Sequence, residues 1–108
     1  MVQKMMKSRI LSMLGISRKA GFAVLGFDKA KDSLMSKKAK IVCLCSDISE
    51  KTKKEIIFFA DKHNIPVLTV DCDMFEMSNA VGMKTGIVAV TDKGIADKLT
   101  ALSNNTAQ

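Results

Sequence analysis

Short apolar runs alternate along this chain with stretches in which apolar residues recur every three or four positions. Residues 41–45 form an uninterrupted apolar run, which is typical of a strand buried on both faces. Similar runs over 67–70 and 87–90 predict two more core strands, and residues 22–25 predict a short extended segment. The sequence therefore predicts a sheet of about four strands.

Between these strands, the apolar spacing is helical. It predicts helices over about 4–14, 27–36, 50–63 and 74–81, and a last helix that begins at 92. Gly15 is expected to end the first helix, Ser49 to cap the third, and Asp73 with Glu76 to form a capping box for the fourth. Helices that alternate with apolar strands predict an α/β protein, a three-layer α/β/α sandwich with a central mixed sheet.

The length of 108 residues, with 47% hydrophobic and 26% charged, fits a globular domain. No apolar run approaches the roughly 20 residues that a membrane helix needs, and the basic, amphipathic N-terminus lacks a signal-peptide core. We expect one domain over residues 1–102, a flexible polar tail over 103–108, and a location in the cytoplasm.

The reactive side chains form no pattern that indicates catalysis. Three cysteines without a CxxC pair, and a single histidine, predict structural thiols rather than a metal or redox site. Cys43 and Cys45 are expected to share one buried strand face, and Cys72 to stand alone near a turn. No P-loop, GxGxxG or GxSxG motif is present. We therefore expect no enzyme, no cofactor, no metal and no small-molecule substrate.

The net charge of +6 is unevenly distributed. Residues 1–40 hold ten basic and two acidic side chains, a balance of +8, whereas residues 41–108 have a balance of −2. A basic face attracts polyanions such as nucleic acid, although surface lysines that only solubilise the protein are an equal alternative. Without Trp or Tyr, and with only Phe22 and Phe27 in the basic half, a base-stacking platform is not expected.

Gly26 comes just before the second predicted helix, where free backbone N–H groups can receive a phosphate. Basic residues lie before, within and just after this segment: Arg18, Lys19, Lys29, Lys31, Lys37, Lys38 and Lys40. The alternative is that Gly26 serves only the turn and that the lysines are only solvated.

Several segments resemble, in order and spacing, the kink-turn-binding ribosomal protein family of the L7Ae and L30e type. They are Val-Leu-Gly-Phe-Asp-Lys-Ala-Lys at 24–31, Lys-Ala-Lys-Ile-Val at 38–42, Cys-Ser-Asp-Ile-Ser-Glu-Lys-Thr at 45–52, Asn-Ile-Pro-Val at 64–67 and Glu-Met-Ser-Asn-Ala-Val-Gly at 76–82. Within that family the chain is similar to the small bacterial members of the YlxQ type, through Arg-Lys-Ala-Gly at 18–21 and Val-Thr-Asp-Lys-Gly at 90–94. The resemblance covers about residues 8–100.

The resemblance implies an α/β/α sandwich that binds ribosomal or other structured RNA. In the family, an Asn-Glu-x-x-Lys motif at the start of the second helix reads tandem G·A pairs, and the loop after the fourth helix contacts a flipped base. Gly26 matches the glycine that precedes this motif. Asp28, Lys29 and Asp32 stand where the family has Asn, Glu and Lys, so hydrogen-bond donors and charges are changed.

The sequence thus predicts a small, monomeric RNA-binding protein that is ribosome-associated or ribosomal-protein-like and has no membrane partner. The alternative is a protein-interaction module that kept the fold without specific RNA recognition. The predicted RNA-binding residues are Arg18, Lys19, Gly26, Phe27, Asp28, Lys29, Lys31, Asp32, Lys38, Met83, Lys84 and Thr85.

Overall fold

Helices and strands alternate along the chain, as the apolar pattern predicts. The structure, a computed structural model, describes the backbone of residues 2–106 and the side chains of residues 7–103. The elements are α1 (Val2–Lys19), β1 (Ala23–Leu25), α2 (Phe27–Met35), β2 (Ile41–Cys45), α3 (Glu50–Lys62), β3 (Val67–Val70), α4 (Met74–Val81), β4 (Ile87–Val90) and α5 (Lys93–Thr106). The strands and the middle helices lie where the sequence predicts them.

The four strands form one sheet in the order β1-β4-β2-β3. β4 lies between β1 and β2 and is antiparallel to both, whereas β2 and β3 are parallel. The prediction of a central mixed sheet is therefore confirmed. Since all residues of β2 and β4 are buried, these two strands form its centre.

The strand directions give the sheet two distinct ends. At the first, which we call the site end, β1, β2 and β3 finish and β4 begins, so Leu25 lies near Val88 and Leu44 lies opposite Ile87. At the other, which we call the far end, β1 and β2 begin and β4 finishes at Val90. The first turns of α2 and α3 consequently start at the site end.

Two separate apolar clusters fill the space on either side of the sheet. Alternate residues of β2 point to opposite faces, with Ile41, Cys43 and Cys45 in one cluster and Val42 and Leu44 in the other. The first cluster packs against α1, α4 and α5, and the second packs against α2 and α3. The three-layer α/β/α sandwich is thereby confirmed.

The prediction that Gly15 ends the first helix is wrong, because α1 continues to Lys19. A β-carbon built on Gly15 would lie 2.5 Å from the Ala80 carbonyl oxygen on α4. This glycine therefore permits a close approach of two helices inside α1. The connector to β1 is correspondingly shorter than predicted.

Two polar contacts hold α1 against α4. Lys7 Nζ donates to Glu76 Oε2 at 2.9 Å, and Arg18 Nη1 donates to the carbonyl of Val81 at 2.8 Å. The first contact lowers the pKa of Glu76 and raises that of Lys7. Glu76 also forms the predicted capping box with Asp73, so the start of α4 and its contact with α1 depend on one side chain.

Cys72 does not stand alone near a turn, which corrects the sequence prediction. It is 3% exposed, and its Sγ lies 3.8 Å from Cys45 Sγ, because the segment after β3 stays beside the end of β2, where Ser46 N donates to the Cys72 carbonyl at 3.0 Å. Cys43 and Cys45 share one face, as predicted. Burial raises the pKa of Cys43 to about 12, and the hydrogen bond with Cys72 raises the pKa of Cys45. Cys43 and Cys45 are therefore packed as neutral thiols, whereas the hydrogen bond with Cys45 lowers the pKa of Cys72.

The last helix extends further than the sequence indicates. Asp92 Oδ2 accepts a hydrogen bond from Ile95 N at 2.9 Å, and α5 then continues through Thr106. Helix therefore covers four of the six residues expected as a tail, while residues 107 and 108 lie outside the described part of the chain. Among the helices described between residues 2 and 106, none has the length and apolar character needed to cross a membrane.

We predict that Gly15→Ala destabilises the protein by about 1–3 kcal/mol, because the added methyl group meets a backbone carbonyl that cannot move without displacing α4. Helix propensity alone predicts the opposite sign, a gain of up to about 1 kcal/mol. Urea unfolding at equilibrium measures the difference. Ser12→Ala, at an exposed position of the same helix, is the control and should be near neutral. A more stable Gly15→Ala variant contradicts the close contact of α1 and α4.

Candidate nucleic-acid interface

A groove of about 350 Å³ lies at the site end of the sheet, where four segments of the chain meet. These segments are the first turns of α2, α3 and α4 and the loop over 82–86, which leads into β4. The groove is lined by Gly26, Phe27, Asp47, Ile48, Ser49, Thr52, Met74, Lys84, Thr85, Gly86 and Ile87. We call it the site-end groove.

The start of α2 offers backbone donors to the site-end groove. Gly26 is the N-cap, with φ of 91° and ψ of 166°, and no side chain caps the helix. Only glycine adopts this conformation readily, since a β-carbon would strain the backbone although nothing lies within 4 Å of it. Gly26 N donates to the Ile87 carbonyl at 3.0 Å, which fixes the first turn of α2 to β4. The N–H groups of the following residues point away from the helix body and can meet an anion.

The start of α3 differs, because a side chain caps it. Ser49 caps this helix and accepts a hydrogen bond from Thr52 N at 3.2 Å. Ser49 Oγ also donates to Thr52 Oγ1 at 2.9 Å. α4 begins at Met74, which also lines the groove, and Asp73 caps it. Of these three helix starts, α2 is therefore the one without a side-chain cap.

The loop over 82–86 is held by hydrogen bonds to α4 and to β4, and its middle residues are exposed to solvent. Ser78 Oγ accepts from Thr85 N at 3.0 Å, and Thr85 Oγ1 bonds to both the N–H and the carbonyl of Ile87. Gly86 packs so closely that an added β-carbon would lie 2.7 Å from Ile48 Cγ2. Lys84 and Met83 are exposed as a result, and 51% of Met83 is accessible to solvent.

Three cationic side chains lie at this end of the sheet. Lys84 lines the site-end groove, while Arg18 and Lys29 line a smaller cavity of about 160 Å³ along β1, together with Met83. Among the side chains of residues 7–103, the ion pairs are Lys7–Glu76 and Lys93–Asp97, so these three cations have no carboxylate partner there. Arg18 also caps α4 through Val81, which places it against the loop.

Acidic groups balance part of this charge. Asp28 is exposed in the first turn of α2, where it complements the helix dipole. Asp47 lines the groove, but its Oδ2 accepts a hydrogen bond from Met74 N at 3.3 Å. The site-end groove therefore combines a few cations and backbone donors with acidic groups and is not a uniformly basic surface.

The structure brings most of the predicted RNA-binding residues together and separates some. Gly26, Phe27, Lys84 and Thr85 line the site-end groove, and Arg18, Lys29 and Met83 adjoin it. Asp28 and Asp32 are exposed on α2. Thr85, in contrast, is 5% exposed and its hydroxyl is bonded within the loop, so it orders the loop.

The other predicted residues lie elsewhere. Lys31 is half-buried with Nζ 4.9 Å from the centre of the Phe59 ring, so it also packs α2 against α3. Lys38 follows the end of α2 and lies toward the far end of the sheet, and Lys19 ends α1 shortly before β1 begins there. Neither of these lysines lines the groove.

Sequence reasoning missed several residues that line the groove, among them Asp47, Ser49, Thr52 and Met74. A usable signal was present for the first three. These residues lie in the connection from β2 to α3 or in the first turn of α3, directly after a predicted strand. The sheet order places this connection near the one from β1 to α2, because β1 and β2 both pair with β4 and finish at the same end of the sheet. Met74 carried no such signal, because α4 reaches the groove only through its packing.

Comparison with known proteins identifies the family of this chain. The profile of the Ribosomal protein L7Ae/L30e/S12e/Gadd45 family matches residues 8–100, and the chain belongs to that family.

Curated relatives cover most of this chain. The "RNA-binding protein YlxQ" of Bacillus subtilis is 30% identical over 91 residues, which are 83% of this chain and 90% of that protein. The protein of the same name from Enterococcus faecium is 24% identical over 85% of this chain and 88% of its own length. The large ribosomal subunit protein eL30B of Schizosaccharomyces pombe is 29% identical over 85% of this chain and 80% of its own length.

Solved structures share the fold. A Bacillus halodurans protein with unknown function superposes with a TM-score of 0.82 at 27% identity, over 88% of this chain and 96% of that one. The Giardia lamblia 15.5kD RNA binding protein superposes with a TM-score of 0.73 at 14% identity, over 90% of this chain and 89% of that one. The latter identity is low, so this similarity concerns the fold alone.

We predict that Thr85→Val destabilises the protein by about 1–3 kcal/mol, because it leaves buried backbone groups of Ile87 without their hydroxyl partner. Urea unfolding gives the free energy, and amide hydrogen exchange at Ile87 gives the local effect, which should be faster exchange. Thr100→Val removes a hydroxyl from an exposed position of α5 and is the matched control. Unchanged exchange at Ile87 would show that Thr85 does not hold the loop.

Proposed function

We propose that this chain is a small RNA-binding protein that holds structured RNA at the site-end groove. The observation that carries the proposal is the uncapped start of α2 at Gly26, beside Lys29 and Lys84. Open N–H groups and nearby cations suit the phosphates of a bent RNA backbone. Asp28 and Asp32 are carboxylates, which repel the acceptor groups of RNA bases. Attraction to the RNA phosphates is therefore the main contribution to the binding free energy.

The relatives support an RNA partner. Two of them are named as RNA-binding proteins, and a third belongs to the large ribosomal subunit. We extend this to a ribosomal or ribosome-associated RNA with a kink-turn-like bend, bound in the cytoplasm by a single domain that acts as a monomer. The coverage of residues 8–100 by the family profile supports the single domain.

A second candidate function is a protein-interaction module that kept the fold. The observation in its favour is the replacement of all three motif positions, by Asp28, Lys29 and Asp32, each of which changes charge or donor capacity. RNA binding distinguishes the two functions directly.

We predict that binding to a kink-turn RNA weakens roughly a hundredfold between 50 and 200 mM salt, as expected for about four phosphate contacts. Fluorescence anisotropy at several salt concentrations measures the dependence. Lys29→Ala and Lys84→Ala should each lower the slope of log affinity against log salt by about one.

Lys54→Ala removes an exposed lysine from α3 and is the matched control, with an unchanged slope expected. Binding that is absent at low salt, or indifferent to salt, contradicts the proposed function and favours the protein-interaction module.

We also predict that the natural protein prefers kink-turn RNA over a plain duplex only weakly. Restoring the family motif with Asp28→Asn, Lys29→Glu and Asp32→Lys together should raise that preference tenfold or more, because a lysine contact to guanine is worth about 1–3 kcal/mol. Competition titration of both RNAs at one salt concentration gives the ratio.

The control for the change in net charge is Asp61→Asn on α3, which should strengthen binding to both RNAs alike and leave the ratio unchanged. Strong selectivity in the natural protein contradicts this prediction and assigns base recognition to Lys31 or to the loop over 82–86.

A further inference from the structure

A second group of exposed residues comes together at the far end of the sheet, away from the site-end groove. Thr91 N donates to the Phe22 carbonyl at 2.8 Å, and Lys40 N donates to the Val90 carbonyl at 2.7 Å. Phe22, Thr91 and Lys40 thus lie side by side on neighbouring strands, which are spaced at about 4.8 Å. Phe22 is 42% exposed and Lys40 is exposed.

Two more lysines lie at the C-terminal end of α2, near the far end of the sheet. Lys37 N donates to the Leu34 carbonyl at 3.1 Å and Lys38 N donates to the Ser33 carbonyl at 3.0 Å, which together form a Schellman motif. The backbone thus holds the turn without help from the lysine side chains, and both are exposed. We call Phe22, Lys37, Lys38 and Lys40 the far-end patch.

Lys37 occupies a backbone position that does not suit it. Its φ is 62°, in the left-handed region, where a side chain with a β-carbon is strained. The same motif ends α3, where the equivalent residue is Asn64 with φ of 56°, a residue type that tolerates this conformation. A lysine in place of glycine or asparagine does not serve the turn, which indicates that its charge has another use.

The far-end patch has no acidic neighbour that neutralises it. Among residues 7–103, no carboxylate lies within ion-pair distance of its three lysines. The nearest acid along the chain from Thr91 is Asp92, which caps α5 through Ile95 N. Three free cations beside one exposed aromatic ring are the combination that binds a single nucleic acid strand, with phosphates on the lysines and a base on the ring.

A path joins this patch to the site-end groove. β1 is one of the two edge strands of the sheet, and the cavity along it is lined by Arg18 and Lys29. From Phe22 to Gly26 the chain spans about 13 Å at the rise of a strand. An RNA strand that leaves the groove can therefore follow β1 past these cations to the far end.

We propose that the far-end patch is a second RNA contact, which binds an unpaired strand that extends from the structured RNA held at the site-end groove. This inference rests on the proposed function and adds the class of RNA to it: a structured element with a single-stranded extension. Phe22 stacks on one base of the extension, a single exposed ring where the sequence predicts no stacking platform, and Lys37, Lys38 and Lys40 contact its phosphates.

The test compares one kink-turn RNA with the same RNA extended by a short unpaired strand at each end, in anisotropy titrations at constant salt. The natural protein should bind the extended RNA about tenfold more tightly. Lys37→Gly and Phe22→Leu should each lose most of that gain, because the first removes a phosphate contact and the second keeps apolar bulk but removes the stacking ring.

Lys37→Gly has a second readout, because relief of the left-handed strain should raise its urea midpoint while its RNA affinity falls. Asn64→Gly is the matched control: it makes the corresponding change at the end of α3, and it should leave the gain in affinity intact. Phe58→Leu, at a ring that is 62% exposed on α3, is the control for Phe22→Leu.

The outcomes separate this inference from the proposed function. If the natural protein binds both RNAs equally, or if Lys37→Gly and Phe22→Leu keep the full gain, the far-end patch is not an RNA contact, and an acidic protein surface becomes its alternative partner. If neither RNA binds at low salt, the proposed function fails and this inference fails with it. A gain that is lost in the two patch variants and retained in the two controls supports it.

Discussion

The antiparallel pairing of β4 with both β1 and β2 is the constraint on which the rest of this structure depends. β4 is buried along its whole length, and its register sets the ends of β1 and β2 at the same level. Gly26 N and Cys45 N then donate to the carbonyls of Ile87 and Gly86, at 3.0 Å each. The starts of α2 and α3 and the loop before β4 meet at one end of the sheet for this reason, and the candidate RNA groove is a consequence of strand pairing.

The ends of the helices decide how that groove can act. Three helices have a side-chain cap, at Ser49, Asp73 and Asp92, and each cap accepts a hydrogen bond from one backbone N–H of the first turn. α2 uses Gly26 and leaves its donors open. At the other end of α2 a strained lysine replaces the usual glycine or asparagine. Gly26 suits its backbone conformation and leaves the first turn without a side-chain cap, whereas Lys37 departs from what stability alone favours, which is expected where a surface serves binding.

The packing of α1 on α4 connects the core to the groove. Gly15 lets the two helices approach, and Arg18 at the end of α1 bonds to the Val81 carbonyl, beside the glycine that begins the loop over 82–86. A residue that looks like an RNA ligand from its charge therefore also has a structural task. Lys31 is a similar case, because it was predicted to bind RNA and its side chain also packs against Phe59. Charge alone cannot separate these roles, since it carries no information on what the stem of the side chain packs against.

The sequence by itself determined the type and order of the elements, because buried strands need apolar runs and helices need an apolar stripe. Local signals also placed the caps at Ser49 and Asp73, since a cap involves residues only three positions apart. Contacts between distant segments were decided by the tertiary structure alone. The role of Gly15 depends on the Ala80 carbonyl, the burial of Cys72 on Cys45, and the separation of Lys38 from the groove on strand order. Helical spacing and charge describe one segment at a time, whereas each of these properties belongs to a pair of segments that only the folded chain brings together.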